Sequence, residues 1–312
     1  MVGHITLKRG IKRAAGWASV MTSPFASAAC AGTACILMYH RTAVINFVDS
    51  RTDDWNVPPD VFERHMRTLA ATADVVPLQE LRERQAREQA NCRANGRGNG
   101  HTHDRRGGKP LVCVTLDDGY ASACESALPI LERYRIPATF FVAAAYVGTR
   151  DPMPFDRWGR LNRGRVGAES WRAACWRELE RAIHGGLITI GSHSFRHLEA
   201  RDCGAGHLRE EAERSRDTLR KRLGDEHART YAYPYGSSRL GDVNDIYENA
   251  VRAAGYDLAV TTDLGLARAS DNPFRLPRIE VHQVDSAPVL RAKLRGALAP
   301  YWVTDRLRTA IH

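Results

Sequence analysis

The most chemically loaded stretch of the chain is LVCVTLDDGY, Leu111 to Tyr120, in which an apolar run stops at two adjacent carboxylates, Asp117 and Asp118. Two neighbouring acids can divide labour, since one held on a divalent metal stays ionised while the other is free to take a proton. An N-capping aspartate at a strand–helix junction would give the same Asp-Asp-Gly pattern. A second stretch shifts the balance: Ile188–Gly191 is followed by SHSFRH, which spaces His193 and His197 four residues apart. On one helical turn both imidazoles share a face, a spacing that suits two ligands on a single ion. With Asp118 they form a His-His-Asp set that leaves positions open for water and substrate.

Such residues need rigid supports, and short apolar runs alternating with amphipathic stretches supply them. The runs predict strands at 35–39, 111–116, 138–143, 188–191, 230–233, 258–262 and 278–282. Helices are expected at 60–72, 78–90, 121–134, 170–184, 206–223, 242–254 and 285–295. Seven strands interleaved with seven helices predict an α/β fold, a distorted (β/α) barrel of about seven strands. No GxGxxG or GxxxxGK[ST] follows a strand, so a phosphate-cradling nucleotide fold has no support. In a barrel, chemistry belongs at the carboxyl ends of the strands, where Asp117, Asp118 and His193 fall. Residues 1–34 read as a basic, Ala-rich extension, 35–284 as the barrel and 285–312 as a helical tail. The Gly/Asn/Arg-rich stretch 91–109 reads as a flexible insertion, and its His101 and His103 lack the rigid support a metal site needs.

The 312 residues carry a net charge of +9, with 43% hydrophobic and 26% charged residues, which excludes a disordered tail or a polytopic membrane protein. The charge is local: residues 1–35 hold +4 and residues 91–110 another +4, leaving +1 for the rest. No aromatic–basic interleaving or helix-turn-helix pattern accompanies it, so no nucleic-acid partner is expected. Seven cysteines without a CxxC pair favour reduced thiols and a reducing compartment. Between Arg13 and Arg41 no charged residue occurs, but Ser19, Thr22, Ser23, Pro24 and Ser27 dilute the apolar ones. That favours an amphipathic segment touching a membrane surface over a spanning helix, while Ala26-Ser27-Ala28 keeps a degraded export signal as the alternative.

The motifs taken together resemble the polysaccharide deacetylases, the NodB-homology domains of carbohydrate esterase family 4. Thr115-Leu-Asp-Asp-Gly119 matches the family's T-F-D-D-G, His193-Ser-Phe-Arg-His197 its H-[ST]-x-x-H, and Tyr233-Pro-Tyr235-Gly its Pro-Tyr motif. The likeness runs over about residues 36–282. It implies that Asp118, His193 and His197 hold a divalent metal, zinc as first choice, and that Asp117 is the general base that deprotonates the attacking water. It also implies that the metal and the backbone N–H of Tyr235 stabilise the tetrahedral oxyanion. Two departures stand out. The family's third motif places an Arg two positions before the Pro, where this chain has Ala232, so Arg278 is the candidate to supply the guanidinium from a late strand. The usual C-terminal L-x-H, which carries the general acid, has only Glu280-Val-His282 as a near match. Met38-Tyr-His40 resembles the same motif moved to the front, an order known among permuted biofilm poly-N-acetylglucosamine deacetylases. His40 is therefore the expected acid and His282 the runner-up.

The resemblance implies an N-acylated amino sugar in a cell-surface polysaccharide or its lipid-linked precursor. Trp55, Trp158, Trp171 and Trp176 are candidate sugar platforms, each expected to be buried instead. A cytoplasmic enzyme at the inner membrane is the expected setting, with export to the periplasm the alternative. A non-catalytic glycan-binding relative and an O-acetyl esterase of the same family are the competing functions.

Overall fold

The computed structural model describes residues 2–22, 32–47, 55–94 and 109–301. The Ala26-Ser27-Ala28 stretch, most of the 91–109 insertion with both its histidines, and the end of the tail lie outside them. Strands buried on both faces read as continuous apolar runs, and the strands here do so. β1 (Thr33–Tyr39) and β3 (Leu111–Leu116) are buried at every position. They are joined by β4 (Ala138–Val142), β5 (Ile188–Ser192), β6 (Thr230–Ala232), β7 (Leu258–Leu264) and β9 (Leu276–Glu280). All seven pair in parallel, and β1 closes the barrel by pairing with β3 on one side and β9 on the other. Two short strands flank it: β2 (Asp74–Val75) beside β3, and β8 (Ala267–Arg268) antiparallel to β1.

Alternation sorts the side chains. Leu37, Tyr39, Val114, Leu116, Phe140 and Ile190 face outward onto helices, whereas Ile36, Cys113, Phe141, Val260 and Leu276 fill the barrel. Each such apolar side chain is worth roughly 1.5–3 kcal/mol on burial. Gly191 makes room for Phe141, since a Cβ there would press on that ring and lie 2.6 Å from Thr230 Oγ1. Val76, Leu78 and Leu81 join this inner cluster at the amino end of the strands. The barrel is thus plugged at one end, and the candidate site sits at the other.

The predicted strands agree with the observed ones to within about two residues. Three helices differ in ways the physics explains. The helix expected over 170–184 starts only at Trp176, because Ala173 pairs with Tyr120 and Glu178 closes the helix start by accepting from Cys175 N. The one expected from Asp242 begins at Asp245, with Asn244 Oδ1 accepting from Tyr247 N. The one expected over 121–134 opens with a π-helical turn, Ala123–Ala127, before the α-helix Leu128–Tyr134, and such bulges gather at functional sites.

The first and last helices of the described residues meet. The N-terminal helix α1 (Val2–Thr22) packs against the C-terminal helix α2 (Ala287–Leu294), with Gly16 against Val289 and Ser19 Oγ donating to Ala297 O at 2.6 Å. Leu290, Leu294 and Leu298, expected as part of a tail, belong to the main core. Among the described residues no helix is long and apolar enough to cross a membrane.

Candidate active site

Asp117 follows β3, its N–H donating to Tyr39 O at 2.9 Å. The chain then turns sharply through two left-handed residues, Asp118 (φ 71°) and Gly119 (φ 74°). Aspartate tolerates that region better than most residues, and at position 119 a Cβ would stand 2.9 Å from Val142 Cγ1. Among the described residues five non-glycine positions have positive φ, and four of them, Asp118, Ser194, His197 and Tyr235, lie at this site. Backbone strain of this kind persists where surrounding structure over-determines it.

Arg278, 1% exposed, reaches Asp117 from inside the barrel. Its two terminal nitrogens donate to Asp117 Oδ1 and Oδ2 at 2.7 and 2.6 Å, and its Nε donates to Thr261 O at 2.8 Å. Burial alone would raise the Asp117 pKa, but this guanidinium and the nearby His193 bring it below the usual range. The guanidinium absent at Ala232 is therefore supplied by the last strand of the barrel.

His193 and His197 do converge, though not on a helical turn. Residues 193–197 form an irregular loop held by His197 N donating to Ser194 Oγ at 2.8 Å, and its two left-handed residues swing both rings inward. Each Nε2 lies 3.4 Å from Asp118 Oδ1, and the three ligand atoms fall within 4.8 Å of one another. His193 Nδ1 lies 2.7 Å from Ala232 O, which can only accept, so Nδ1 carries the proton. A neutral His193 then aims its Nε2 lone pair at a carboxylate oxygen, a repulsive arrangement unless a cation stands between them. Two imidazoles and one carboxylate so arranged fit a borderline divalent metal. Without one, burial lowers His197, while His193, also opposed by burial, is raised by Asp118 and Asp117.

These groups line a cavity of about 220 Å³. His40, at the end of β1, faces it with its ring edge-on to Trp55 at 4.5 Å. Burial lowers the His40 pKa, against the pull of Asp118 and Asp117. His282 does not line the cavity. It sits among Glu280, 3.5 Å from its Nδ1, Lys12, 3.3 Å away, and Asp285, whose carboxylate accepts from its backbone N–H at 2.9 Å. Of the two candidate acids, then, only His40 faces Asp117 across the cavity. Tyr235 (φ 58°) stands 41% exposed at the rim, and Thr262 Oγ1 donates to its carbonyl at 2.7 Å. Gly236 N donates to Pro234 O at 2.6 Å, which fixes the peptide unit that carries the Tyr235 N–H, and among the described residues that N–H meets no acceptor.

The wall opposite is built around two residues not anticipated from the sequence, Arg41 and Asp156. Arg41 pairs with Asp156 at 2.8 Å and lies between the rings of Tyr120 and Trp158, 4.3 and 4.4 Å from their centroids. Only the position directly after His40 could have flagged Arg41. Of the four candidate tryptophans, Trp158 and Trp171 are buried as expected, whereas Trp176 is only half-buried and Trp55 is 43% exposed at the cavity.

The model of the polysaccharide deacetylase family matches residues 104–259, half of the chain, a span that holds Asp117, Asp118, His193, His197 and Tyr235. The chain belongs to the polysaccharide deacetylase family. His40 and Arg278 lie outside the matched span. The chain is 26% identical to YxkH of Bacillus subtilis (strain 168) over 79% of its own length and 70% of that protein's. It is 28% identical to the poly-beta-1,6-N-acetyl-D-glucosamine N-deacetylase of Escherichia coli (strain K12) over 53% of its length, a stretch spanning 27% of that protein. Its fold is that of the Streptococcus pyogenes deacetylase PplD, solved in complex with acetate, at 20% identity and a TM-score of 0.63, covering 84% of this chain and 98% of that one.

Proposed function

We propose that this polysaccharide deacetylase removes N-acetyl groups from amino sugars of a cell-surface polysaccharide or its lipid-linked precursor, using a divalent metal, zinc first. The observation that carries the reading is the convergence of Asp118, His193 and His197 beside a carboxylate, Asp117, gripped at both oxygens by Arg278. The similarity to an enzyme named for N-deacetylating a glucosamine polymer supports an amide substrate over an O-acetyl ester.

The metal, when bound, supplies Lewis acidity toward oxygen. The chain's own groups do the rest. Asp117, kept ionised by Arg278, takes a proton from the attacking water. The Tyr235 N–H, in the peptide unit held by Gly236 N on Pro234 O, donates to the oxygen that becomes negative as the acetyl carbon turns tetrahedral. His40, in its protonated form, gives a proton to the sugar nitrogen as the C–N bond breaks and returns to the neutral imidazole, releasing acetate and a free amine. Trp55 and Tyr235 offer exposed ring faces at the rim to the neighbouring sugar.

Metal analysis and acetate release on a panel of N-acetylated and O-acetylated glycans test this reading, with Asp117→Asn as control. Sugar binding without acetate release would instead support a non-catalytic glycan binder, and release from O-acetyl substrates alone an esterase.

We further propose that α1 rests on an anionic lipid surface. Trp17 and Met21, 63% and 72% exposed, lie one turn apart on the face turned away from α2, and no acid occurs in the first 35 residues. The free thiols of Cys35, Cys113, Cys124, Cys175 and Cys203 support the cytoplasmic side. Cell fractionation against a periplasmic marker tests that placement.

A further inference from the structure

The two candidate metal histidines are held in different ways. His193 is fixed by the bond from Nδ1 to Ala232 O at 2.7 Å, the usual device for orienting a ligating imidazole. His197 has no such bond: its Nδ1 is buried and meets no polar partner on another residue. Yet its ring is enclosed. Phe155 lies flat against one face, with centroids 3.8 Å apart and planes 14° apart, and Tyr235 meets it edge-on at 5.0 Å.

Phe155 belongs to the segment between β4 and β5, whose first residues are tied to the histidine loop. Ala144 N donates to Ser194 O at 3.3 Å, Ala145 N to Phe195 O at 2.9 Å, and Tyr146 Oη to Arg196 O at 3.1 Å. Tyr146 in turn backs Phe155, with ring centroids 5.8 Å apart. The loop is not helical and carries left-handed residues at Ser194 and His197, so it has no hydrogen-bond ladder of its own to set the second ring.

We propose that Phe155 is a positioning residue for the metal centre, substituting stacking for the missing hydrogen bond on His197; this rests on the metal-dependent reading above. The choice has an electronic consequence. An imidazole that has given its lone pair to a cation is electron-poor, and the negative face of a phenyl ring attracts it more strongly than it does the free ring. Phe155 therefore favours the metal-loaded state, whereas a hydrophobic residue of similar bulk without a π face does not.

The test measures Zn²⁺ affinity of the full chain by competition with a chromophoric chelator, for the wild type, His193→Ala, Phe155→Leu and Phe155→Tyr, alongside thermal melting of the metal-free proteins. Phe155→Leu is expected to bind Zn²⁺ about 10-fold more weakly, near the lower bound for losing an outer-shell partner, while Phe155→Tyr, which keeps the ring, stays within about 2-fold of wild type. Metal-free melting temperatures should match. Wild-type affinity in Phe155→Leu, or equal losses in Phe155→Leu and Phe155→Tyr, overturns the proposal while leaving the metal reading intact. A wild-type protein that binds no Zn²⁺, or binds it as well after His193→Ala, overturns the metal reading and this proposal with it.

Discussion

Asp117 and Arg278 set the character of the site, because a buried carboxylate serves as a base only if something keeps it ionised. Lysine can replace the charge of Arg278 but not its paired donors, so Arg278→Lys should lower kcat/KM about 100-fold with metal content unchanged, measured as acetate release. A variant as fast as wild type would show that the paired grip is dispensable. Removing metal with a chelator should abolish turnover, and Zn²⁺ should restore it to the wild type but not to His193→Ala. At this scale the sequence was informative where a motif is local: Asp117, Asp118, His193 and His197 could be read from two short stretches. Arg278 could be anticipated only as a replacement for a missing partner at Ala232. Phe155 left no trace and Arg41 only its place after His40, because an aromatic or a cation in an irregular segment has no period to betray its face.

The elements explain why the two histidines meet. Their spacing fits a helical turn, but the strand end and the bonds from Ala144 and Ala145 impose a loop instead, and the same separation is bridged by left-handed residues. Sequence periodicity cannot see that choice, since both conformations bring the rings together. Strands were legible for the opposite reason: burial on both faces leaves continuous apolar runs at 111–116 and 138–142. Two predictions belong to this scale. Gly191→Ala should destabilise the barrel by about 1–3 kcal/mol in denaturant titration, since the added Cβ meets Phe141, and Phe141→Leu should recover part of the loss. The second concerns α2, whose Lys293 pairs with Asp285 at 2.7 Å, both side chains 1% exposed. Burial opposes the Asp285 charge, but Lys293 prevails and its pKa falls below the ordinary value. A depressed carboxylate adds stability above its unfolded pKa, and that stability is lost as pH falls through the folded value. Thermal melting should therefore decline below about pH 4 in the wild type, and a Lys293→Met/Asp285→Asn double variant should lose that part of the slope. Asp285→Ala alone, which strands a buried ammonium, should cost about 3–5 kcal/mol.

For the whole molecule, the net charge of +9 separates into a catalytic body close to neutral and two basic segments, the N-terminal one being a helix packed on the barrel's last helix. If α1 meets lipid, the chain should co-sediment with vesicles containing phosphatidylglycerol but not with phosphatidylcholine alone, and Trp17→Ser with Met21→Ser should weaken binding about 10-fold without changing acetate release from soluble substrates. Equal binding by that double variant would sink the lipid role of this face.

Closure of the barrel has a consequence in time as well as in space. β1 cannot find both neighbours until β9 has been made, and the partner of Asp117 arrives 161 residues after it. A chain lacking β9 lacks both the closing strand and the guanidinium that grips Asp117 at both oxygens. Long-range closure of this kind makes folding slow relative to helical proteins of similar size.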